Sequence, residues 1–243
     1  LNKIFFTLLI LIYLVSCNSK KQFEMILIKD GWFTLGLNHQ NTVLQFMSDK
    51  TSSLNAQPEQ QYFLKAFYID KFEVTYEEFI IFKPQSKYPT QQINLPVRGV
   101  NAYEAEAYCI WIGKRLPTEY EWEKAARGGN NRLFVWGNDF EKGYANFGKQ
   151  VMPVNSLGND VSSYGVWGMN GNVSEWTSSW YRPYPDSEHH DKNYGKKFKV
   201  TRGGSIQKRK HGFMKEFTMI PHRNIAPPEM RFWDTGFRCA KSV

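Results

Sequence analysis

Short apolar runs separated by turn residues open the chain after residue 24. Residues 25–29 and 32–36 are rich in β-branched and aromatic side chains, and Asp30-Gly31 stands between them. An Asp-Gly pair between two such runs is a strong hairpin signal, so the pattern predicts two paired strands. Residues 63–74 alternate apolar and polar positions and predict a further strand.

Capping residues predict helices after these strands. Thr75 and Glu78 have the spacing of a capping box and precede a short helix over 76–82. Asn101 can cap a second helix that Gly113 ends. Helical spacing then places four side chains on the buried face of this second helix: Ala105, Tyr108, Cys109 and Ile112.

A third helix is predicted after a second capping box, and irregular chain follows it. Thr118 and Glu121 form that box, and Gly128-Gly129 ends the helix. Beyond residue 130 there are few periodic runs and many aromatic, Gly and Asn residues, which is typical of compact but irregular structure. The polar stretch 181–197 is predicted to be a mobile surface loop.

The amino terminus has the pattern of an export signal. Lys3 precedes the apolar run 4–15, which is too short to span a bilayer stably. Residues 14–17 resemble a bacterial lipobox, which would make Cys17 the site of lipidation. The sequence therefore predicts a signal peptide over 1–16, a lipidated tether over 17–24 and one domain over 25–243. A signal peptide followed by an incidental cysteine is the alternative.

These predictions place the protein at the bacterial cell envelope, anchored to the membrane by lipid and facing the periplasm or the exterior. The formal charge is +8, and loss of Lys3 with the signal peptide leaves +7. A basic surface suits acidic lipid headgroups or polyanionic glycans, and nucleic acid is not expected as a partner of an exported protein. A solvated basic surface without a ligand is the alternative.

Several motifs in order resemble the formylglycine-generating enzyme, or sulfatase-modifying factor, family. They are GKRLPTEYEWEKAARGG at 113–129, FVWGN at 134–138, YAN at 144–146, YGVWGMNGNVSEWT at 164–177, RGGS at 202–205 and GFRC at 236–239. The resemblance implies an α+β, loop-rich fold of the formylglycine-generating-enzyme type, which is C-type-lectin-like.

The resemblance fails where the family carries its copper-binding cysteines. In the catalytic members, one cysteine stands three residues after the serine of the RGGS segment and another stands five residues beyond it. Lys208 and Phe213 occupy those positions here, and no cysteine lies between Cys109 and Cys239. A cuprous ion needs soft thiolate ligands, so copper-dependent oxidation of a sulfatase cysteine to formylglycine is not expected.

The family also implies structural bonds and ions. In some members the cysteines matching Cys109 and Cys239 form a disulfide; two buried free thiols are the alternative. The family's calcium site implies oxygen donors on one turn: Asn170, Gly171, Val173 and Glu175. The alternative is a turn held by hydrogen bonds alone. The resemblance implies a second calcium site at Asn146 and Phe147, incomplete unless Asp160 reaches it.

Basic and histidine side chains suggest a groove where the copper site is missing. The candidate residues are Lys208, Arg209, Lys210, His211, Phe213 and His222. The alternative for the cationic residues is a solvated basic turn. His189 and His190 belong to the predicted surface loop, and Arg238 is expected to pack or pair structurally at the closing strand, without a catalytic role.

The leading functional hypothesis is an envelope lipoprotein that binds or scaffolds a protein, glycan or peptide. One alternative is an oxidative or metal-dependent enzyme without cysteine chemistry, as in some cysteine-less members. Another is a ligand-display protein, because the same lectin-like fold serves diversified binding surfaces.

Overall fold

The computed structural model describes residues 24–38, 50–85, 93–206 and 215–243. These residues form nine short strands, three α-helices and two 3-10 helices. The strands are β1 Met25–Ile28, β2 Gly31–Leu35, β3 Gln60–Leu64, β4 Phe67–Asp70, β5 Ser174–Trp180, β6 Lys199–Arg202, β7 Asn224–Ala226, β8 Thr235–Gly236 and β9 Ala240–Ser242. The helices are α1 Tyr76–Phe82, α2 Ala102–Trp111 and α3 Glu119–Arg127, with 3-10 turns at Lys50–Ala56 and Lys215–Thr218.

Three small sheets make up the β structure of the described chain. The first has the antiparallel order β1-β4-β9, and the second is the β2-β3 pair. The third has the order β7-β6-β5-β8, in which β8 runs parallel to β5. Strands that are distant in sequence therefore lie side by side, and the closing strand β9 returns to the sheet that opens the domain.

The predicted strands are present, but the predicted hairpin is wrong. β1 pairs with β4, whereas β2 pairs with β3 in a separate sheet. The run predicted as one strand over 63–74 is likewise divided, with β3 and β4 in different sheets. The reason is packing, because Ile28 of β1 joins a cluster with Phe67, while Phe33 of β2 packs near Tyr184.

All three predicted helices are confirmed, together with their caps. Thr75 and Thr118 each accept a hydrogen bond from the backbone of the predicted capping-box glutamate. Asn101 caps α2 and also forms a capping box, with Glu104. Gly113 and Gly128 follow their helices at positive φ, where a residue without a Cβ is favoured. Local sequence is enough to define these elements.

The segment 181–197 does not begin as a free surface loop. Tyr181 and Tyr184 are buried, and both rings lie against the guanidinium of Arg223. The Tyr184 hydroxyl donates a hydrogen bond to Glu123. The prediction of a mobile surface loop is therefore wrong for its first residues, which are anchored by a buried cation–π contact that hydropathy does not reveal. His190 is exposed within the same segment.

The predicted disulfide is confirmed. Cys109 on α2 and Cys239 before β9 are bonded, with their Cα atoms 5.6 Å apart. Tyr108 and Phe237 lie beside the two cysteines and contact each other edge to face. The bond joins the helix to the closing strand across 130 residues of sequence.

No helix among the described ranges is both long and apolar enough to cross a bilayer.

Replacing Cys109 and Cys239 by Ala together is expected to lower the free energy of unfolding by about 4 to 5 kcal/mol, because the loop that the bond closes is long. Urea unfolding of the oxidised wild type and the double variant measures the loss. Wild-type protein reduced with dithiothreitol should match the double variant. Equal stability of the oxidised wild type and the variant would contradict a bonded pair.

Candidate functional site

A buried network of charges lies behind the RGGS segment. Glu119 and Glu123 stand one turn apart on α3 and face β6 and the chain before β7. The Glu123 carboxylate accepts a hydrogen bond from Arg202 at 2.6 Å, and Glu119 accepts two from Arg223 at 2.7 and 2.8 Å. The Tyr184 hydroxyl bridges Arg202 and Glu123. Arg202, the arginine of the RGGS segment, therefore joins β6 to α3 inside the domain.

The Glu123 pair is charged despite its burial. Burial alone would raise the pKa of the Glu123 carboxyl, but Arg202 and Arg127 lie close enough to hold that pKa below its usual value. Glu123 also accepts the backbone N–H of Gly36 at 2.8 Å. Arg202, Tyr184 and Gly36 thus donate hydrogen bonds to this carboxylate, and Arg127 forms an ion pair with it at 3.2 Å, so its contacts are to protein groups.

A second buried pair ties the turn that follows residue 170 to the closing strand. Arg238 donates two parallel hydrogen bonds to the Glu175 carboxylate, both at 2.7 Å. The Trp122 indole N–H donates a third, at 2.9 Å. Arg238 also donates to the carbonyl oxygens of Asp70 and Trp167. The expected structural pairing of Arg238 is confirmed, and its partner is Glu175.

The NGN turn at 170–172 is held by side-chain amides. Val135 N–H donates to the Asn170 amide oxygen at 2.9 Å, and the Asn170 amide nitrogen donates to the Thr218 carbonyl at 2.6 Å. Asn172 N–H donates to the Asn146 carbonyl at 2.9 Å. The structure therefore brings together the two segments predicted to bind calcium, because Asn146 lies directly against this turn.

Two glycines allow this close approach. A Cβ on Gly171 would lie 2.8 Å from the backbone nitrogen of Asn146. A Cβ on Gly204 would lie 2.4 Å from the Asn170 carbonyl oxygen. These distances are shorter than any side chain can accept, so the glycines of two motifs are required for the contact between their backbones.

Two of the four predicted calcium donors, Glu175 and Asn170, already have partners. Arg238 and Trp122 occupy both oxygens of Glu175, which is the charged member of the predicted set. The Asn170 carbonyl accepts the N–H of Gly204. A carboxylate bound to a guanidinium is a poor calcium ligand, so this donor set does not fit the ion in the observed arrangement. Calcium binding stays a prediction.

The second predicted calcium site has a similar arrangement. The Asn146 amide oxygen accepts the N–H of Gly148 at 3.0 Å, and the Phe147 ring packs near Phe140. Asp160 accepts hydrogen bonds from the N–H groups of Asn170 and Gly171. Its carboxylate thus caps the NGN turn, and that site also stays a prediction.

The end of β6 leads towards the predicted groove. Ser205 donates a hydrogen bond to Asp234 at 3.0 Å. The residues predicted to line the groove just beyond it lie outside the described residues: Lys208, Arg209, Lys210, His211 and Phe213. Cys17 and the predicted signal peptide also lie outside them. The groove and the lipidation site therefore stay predictions.

His222, the remaining candidate for the groove, is buried. Its Nε2 lies 3.0 Å from the Asn224 amide oxygen, and its ring meets Phe217 edge to face. Burial lowers the pKa of His222 to about 4, so the ring is neutral at physiological pH. In the described chain, this imidazole is part of the packing beneath β7.

Sequence reasoning missed most of the buried charges. Glu73, Glu119, Glu123 and Asp160 are all buried, and only Asp160 was named in a prediction, as the residue that would complete the second calcium site. The sequence does contain a signal for Glu119 and Glu123. They stand at positions i and i+4 of a predicted helix and must lie on the same face of it. The sequence contains no local signal for the arginines that meet them.

Comparison with known proteins identifies the family of the chain. A family model described as "Sulfatase-modifying factor enzyme 1-like domain" matches residues 14–243. The chain belongs to the sulfatase-modifying factor family. The fold is the α+β, loop-rich and C-type-lectin-like fold of that family.

Relatives in this family include both uncharacterized and enzymatic proteins. The chain is 31% identical over 275 residues to the uncharacterized protein YfmG of Bacillus subtilis, covering 90% of this chain and 54% of YfmG. It is 38% identical over 166 residues to the formylglycine-generating enzyme of Mus musculus, covering 60% of this chain and 44% of that enzyme. It thus spans about half the length of these curated relatives.

A solved structure supports the fold assignment. PvdO from Pseudomonas aeruginosa superposes with a TM-score of 0.70 at 21% identity, covering 90% of this chain and 94% of PvdO. At that identity the likeness concerns the fold alone.

Across the ranges 24–38, 50–85, 93–206 and 215–243, no three His, Cys, Asp or Glu side chains are grouped to hold a metal ion.

Arg238→Gln is expected to lower the free energy of unfolding by about 3 to 5 kcal/mol, because it leaves the buried Glu175 carboxylate without a countercharge. Arg231→Gln is the matched control. Arg231 pairs with Glu104 near the surface, with half of its side chain exposed, and its loss should cost about 0 to 1 kcal/mol. Urea unfolding compares the two. Equal losses would contradict the structural role assigned to Arg238.

Proposed function

We propose that this member of the sulfatase-modifying factor family is an envelope lipoprotein that binds or scaffolds a partner and does not generate formylglycine with copper. The observation that carries the part of the proposal about copper is the disulfide between Cys109 and Cys239. The chain has three cysteines, so this bond leaves Cys17 as the one remaining thiol.

Copper chemistry of the family type requires two free thiolates at one place. A sulfur in a disulfide is neither a thiolate nor a soft anionic ligand, so Cys109 and Cys239 cannot serve. Lys208 and Phe213 stand where the catalytic members carry the cysteine pair. An ammonium group repels a cuprous ion, and a phenyl ring offers it no donor. The chain therefore keeps the scaffold of the family without the two cysteines that bind copper in the catalytic members.

Charge and leader pattern support the binding part of the proposal. Lipidation of Cys17 would hold the mature domain at a membrane surface without a transmembrane helix. The run of basic residues over 208–210 follows Ser205 in the sequence, and the Ser205 hydroxyl donates a hydrogen bond to Asp234. The predicted groove suits an anionic site on a protein, glycan or peptide partner. Nucleic acid is not part of the proposal.

A second candidate is an oxidative or metal-dependent enzyme with non-cysteine chemistry. The observation that favours it is the hydrogen bond between the Ser205 hydroxyl and the Asp234 carboxylate, because Ser205 stands three residues before Lys208 in the sequence. Elemental analysis after loading with ferrous and cuprous ions separates the two candidates. A retained redox metal supports the enzyme, and its loss on desalting supports the binding protein.

The copper prediction is tested by titration against a cuprous chelator such as bathocuproine disulfonate. The wild type is expected to release the ion to the chelator, whereas the double variant Lys208→Cys with Phe213→Cys should retain it, because the variant restores two thiolates. The variant also shows whether the scaffold still presents these positions to one ion. Tight, stoichiometric cuprous binding by the wild type would overturn the proposal.

Lipidation is tested by expressing the chain with its own leader in a bacterium supplied with an alkyne-labelled fatty acid. The wild type is expected to become labelled, and Cys17→Ser to remain unlabelled with its leader uncleaved. The double variant Cys109→Ala with Cys239→Ala is the control, because it removes two cysteines and keeps Cys17. A cleaved but unlabelled wild type would favour an ordinary signal peptide.

A further inference from the structure

The outer face of α2 is apolar. The positions of this helix that lie in solvent all carry apolar or aromatic side chains: Tyr103, Ala107, Ile110 and Trp111. Tyr103 is 51% exposed, Ile110 is 63% exposed and Trp111 is 53% exposed. A surface helix usually carries polar residues on its outer face, whereas a helix that is apolar on both faces is covered on both. The outer face of α2 is therefore a candidate contact surface.

Helix α1 extends this surface. The ring of Phe82, at the end of α1, lies 5.5 Å from the ring of Trp111. Phe82, Tyr103 and Ala107 line one groove of 370 Å³ between the two helices. We call the combined surface the α1–α2 patch, and its residues are Phe82, Tyr103, Ala107, Ile110 and Trp111.

Polar groups lie at one end of the α1–α2 patch. The polar residues that line the groove are Lys83, Asn101 and Glu104. The Glu104 carboxylate accepts hydrogen bonds from Lys83 and from Arg231. Glu106, the other acidic residue of α2, lies close to Lys199. Two cations on one carboxylate leave a net positive charge at this rim, which suits anionic lipid headgroups.

The amino end of the described chain lies beside the carboxy end of α2. The first residue of β1 pairs with Asp70 in the sheet, and the Asp70 carboxylate forms a salt bridge with Lys114 at 2.5 Å. Lys114 stands three residues after Trp111. Glu24 and Ile112 also line the same 540 Å³ pocket. The chain before Glu24 therefore leaves the domain near the Trp111 end of the patch.

The length of the chain before Glu24 limits where a membrane can lie. Cys17, the proposed site of lipidation, stands seven residues before Glu24. A segment of that length spans at most about 25 Å when it is fully extended. A compact domain of this size is roughly 45 Å across. A lipid anchor on Cys17 therefore cannot reach the far side of the domain, and it favours a membrane on the side of Glu24 and the patch.

A second copy of the chain would be a poorer occupant of the patch. Its large side chains are half to two-thirds exposed, which amounts to on the order of 400 Å² of surface. A stable dimer needs about 800 Å² from each partner. A membrane contact needs less area, because the lipid anchor already keeps the domain at the surface and raises the effective concentration of lipid.

We propose that the α1–α2 patch lies on the membrane surface, with Ile110 and Trp111 at the boundary between headgroups and acyl chains. Tryptophan and tyrosine favour this boundary because each ring has an apolar body and a polar group that stays hydrated. The inference rests on the proposed function, since the lipid anchor decides on which side the membrane lies. It adds which face of the domain the membrane covers.

The test measures lipid contact in the full chain, expressed with its own leader and reconstituted into vesicles of phosphatidylethanolamine and phosphatidylglycerol. Ala107→Cys carries the fluorophore NBD, which a doxyl group on the lipid acyl chain quenches on contact. Glu188→Cys is the matched control, because Glu188 is exposed and lies outside α1 and α2. We expect about threefold stronger quenching at position 107, unchanged at about 0.5 M salt because salt does not screen apolar burial.

Each labelled protein is also prepared with Cys17→Ser. This keeps a single reactive thiol whether or not Cys17 is acylated, and the uncleaved leader holds the chain in the vesicle. The same contrast between positions 107 and 188 is expected in this background.

A pair of variants locates the contact. Ile110→Ser together with Trp111→Ser should lower the quenching at position 107 to the level of the Glu188→Cys control. Trp32→Ser is the matched variant, because Trp32 is 67% exposed on β2 and lies outside the patch. It should leave the quenching unchanged. Thermal unfolding checks that both variants fold.

Three results would overturn the inference. One is equal quenching at positions 107 and 188. Another is quenching that survives in the double serine variant. The third is a disulfide-linked dimer of Ala107→Cys without quenching by lipid, which would assign the patch to a second copy of the chain.

Mass spectrometry of the peptide that contains Cys17 tests the anchor separately. An acylated peptide without quenching at position 107 overturns the inference and leaves the proposed lipoprotein intact. Quenching at position 107 without acylation supports the membrane contact and removes the lipid anchor from the proposed function.

Discussion

The domain depends on buried contacts between glutamate carboxylates and arginine guanidinium groups. Glu119 with Arg223, Glu123 with Arg202 and Glu175 with Arg238 are all buried, and each joins elements distant in sequence. A domain with short strands leaves many backbone carbonyl groups outside regular sheets. Each guanidinium can satisfy some of these carbonyls while it binds its carboxylate. Removing one charge from such a pair leaves the other charge buried and unpaired in the protein interior, which solvates charges poorly.

The same contacts limit what the motifs can do chemically. Glu175 is a potential ligand by composition, yet its two oxygens already bind Arg238 and Trp122. Glu123 is equally committed to Arg202. The motif residues of this family are therefore mainly a framework here, and any chemistry or recognition must come from what the framework presents at its edges.

Glu73 differs from the other buried carboxyl groups because one of its oxygens remains without a hydrogen bond. It lies near Arg238, but that arginine is already bound to Glu175. Arg238 therefore binds Glu175 at 2.7 Å and approaches Glu73 only to 4.0 Å, so one guanidinium is shared unequally between two buried carboxyl groups.

The sequence by itself determined the helices, their caps and the family, because a cap involves residues within four positions of each other and a motif is a local string. The disulfide also followed from the family resemblance. Tertiary structure alone decided the strand partners and the ion pairs. β1 and β2 follow one another closely and still join different sheets. Arg238 meets Glu175 63 residues away and Asp70 168 residues away. Such contacts depend on which side chains meet after the chain packs, and no local pattern encodes that.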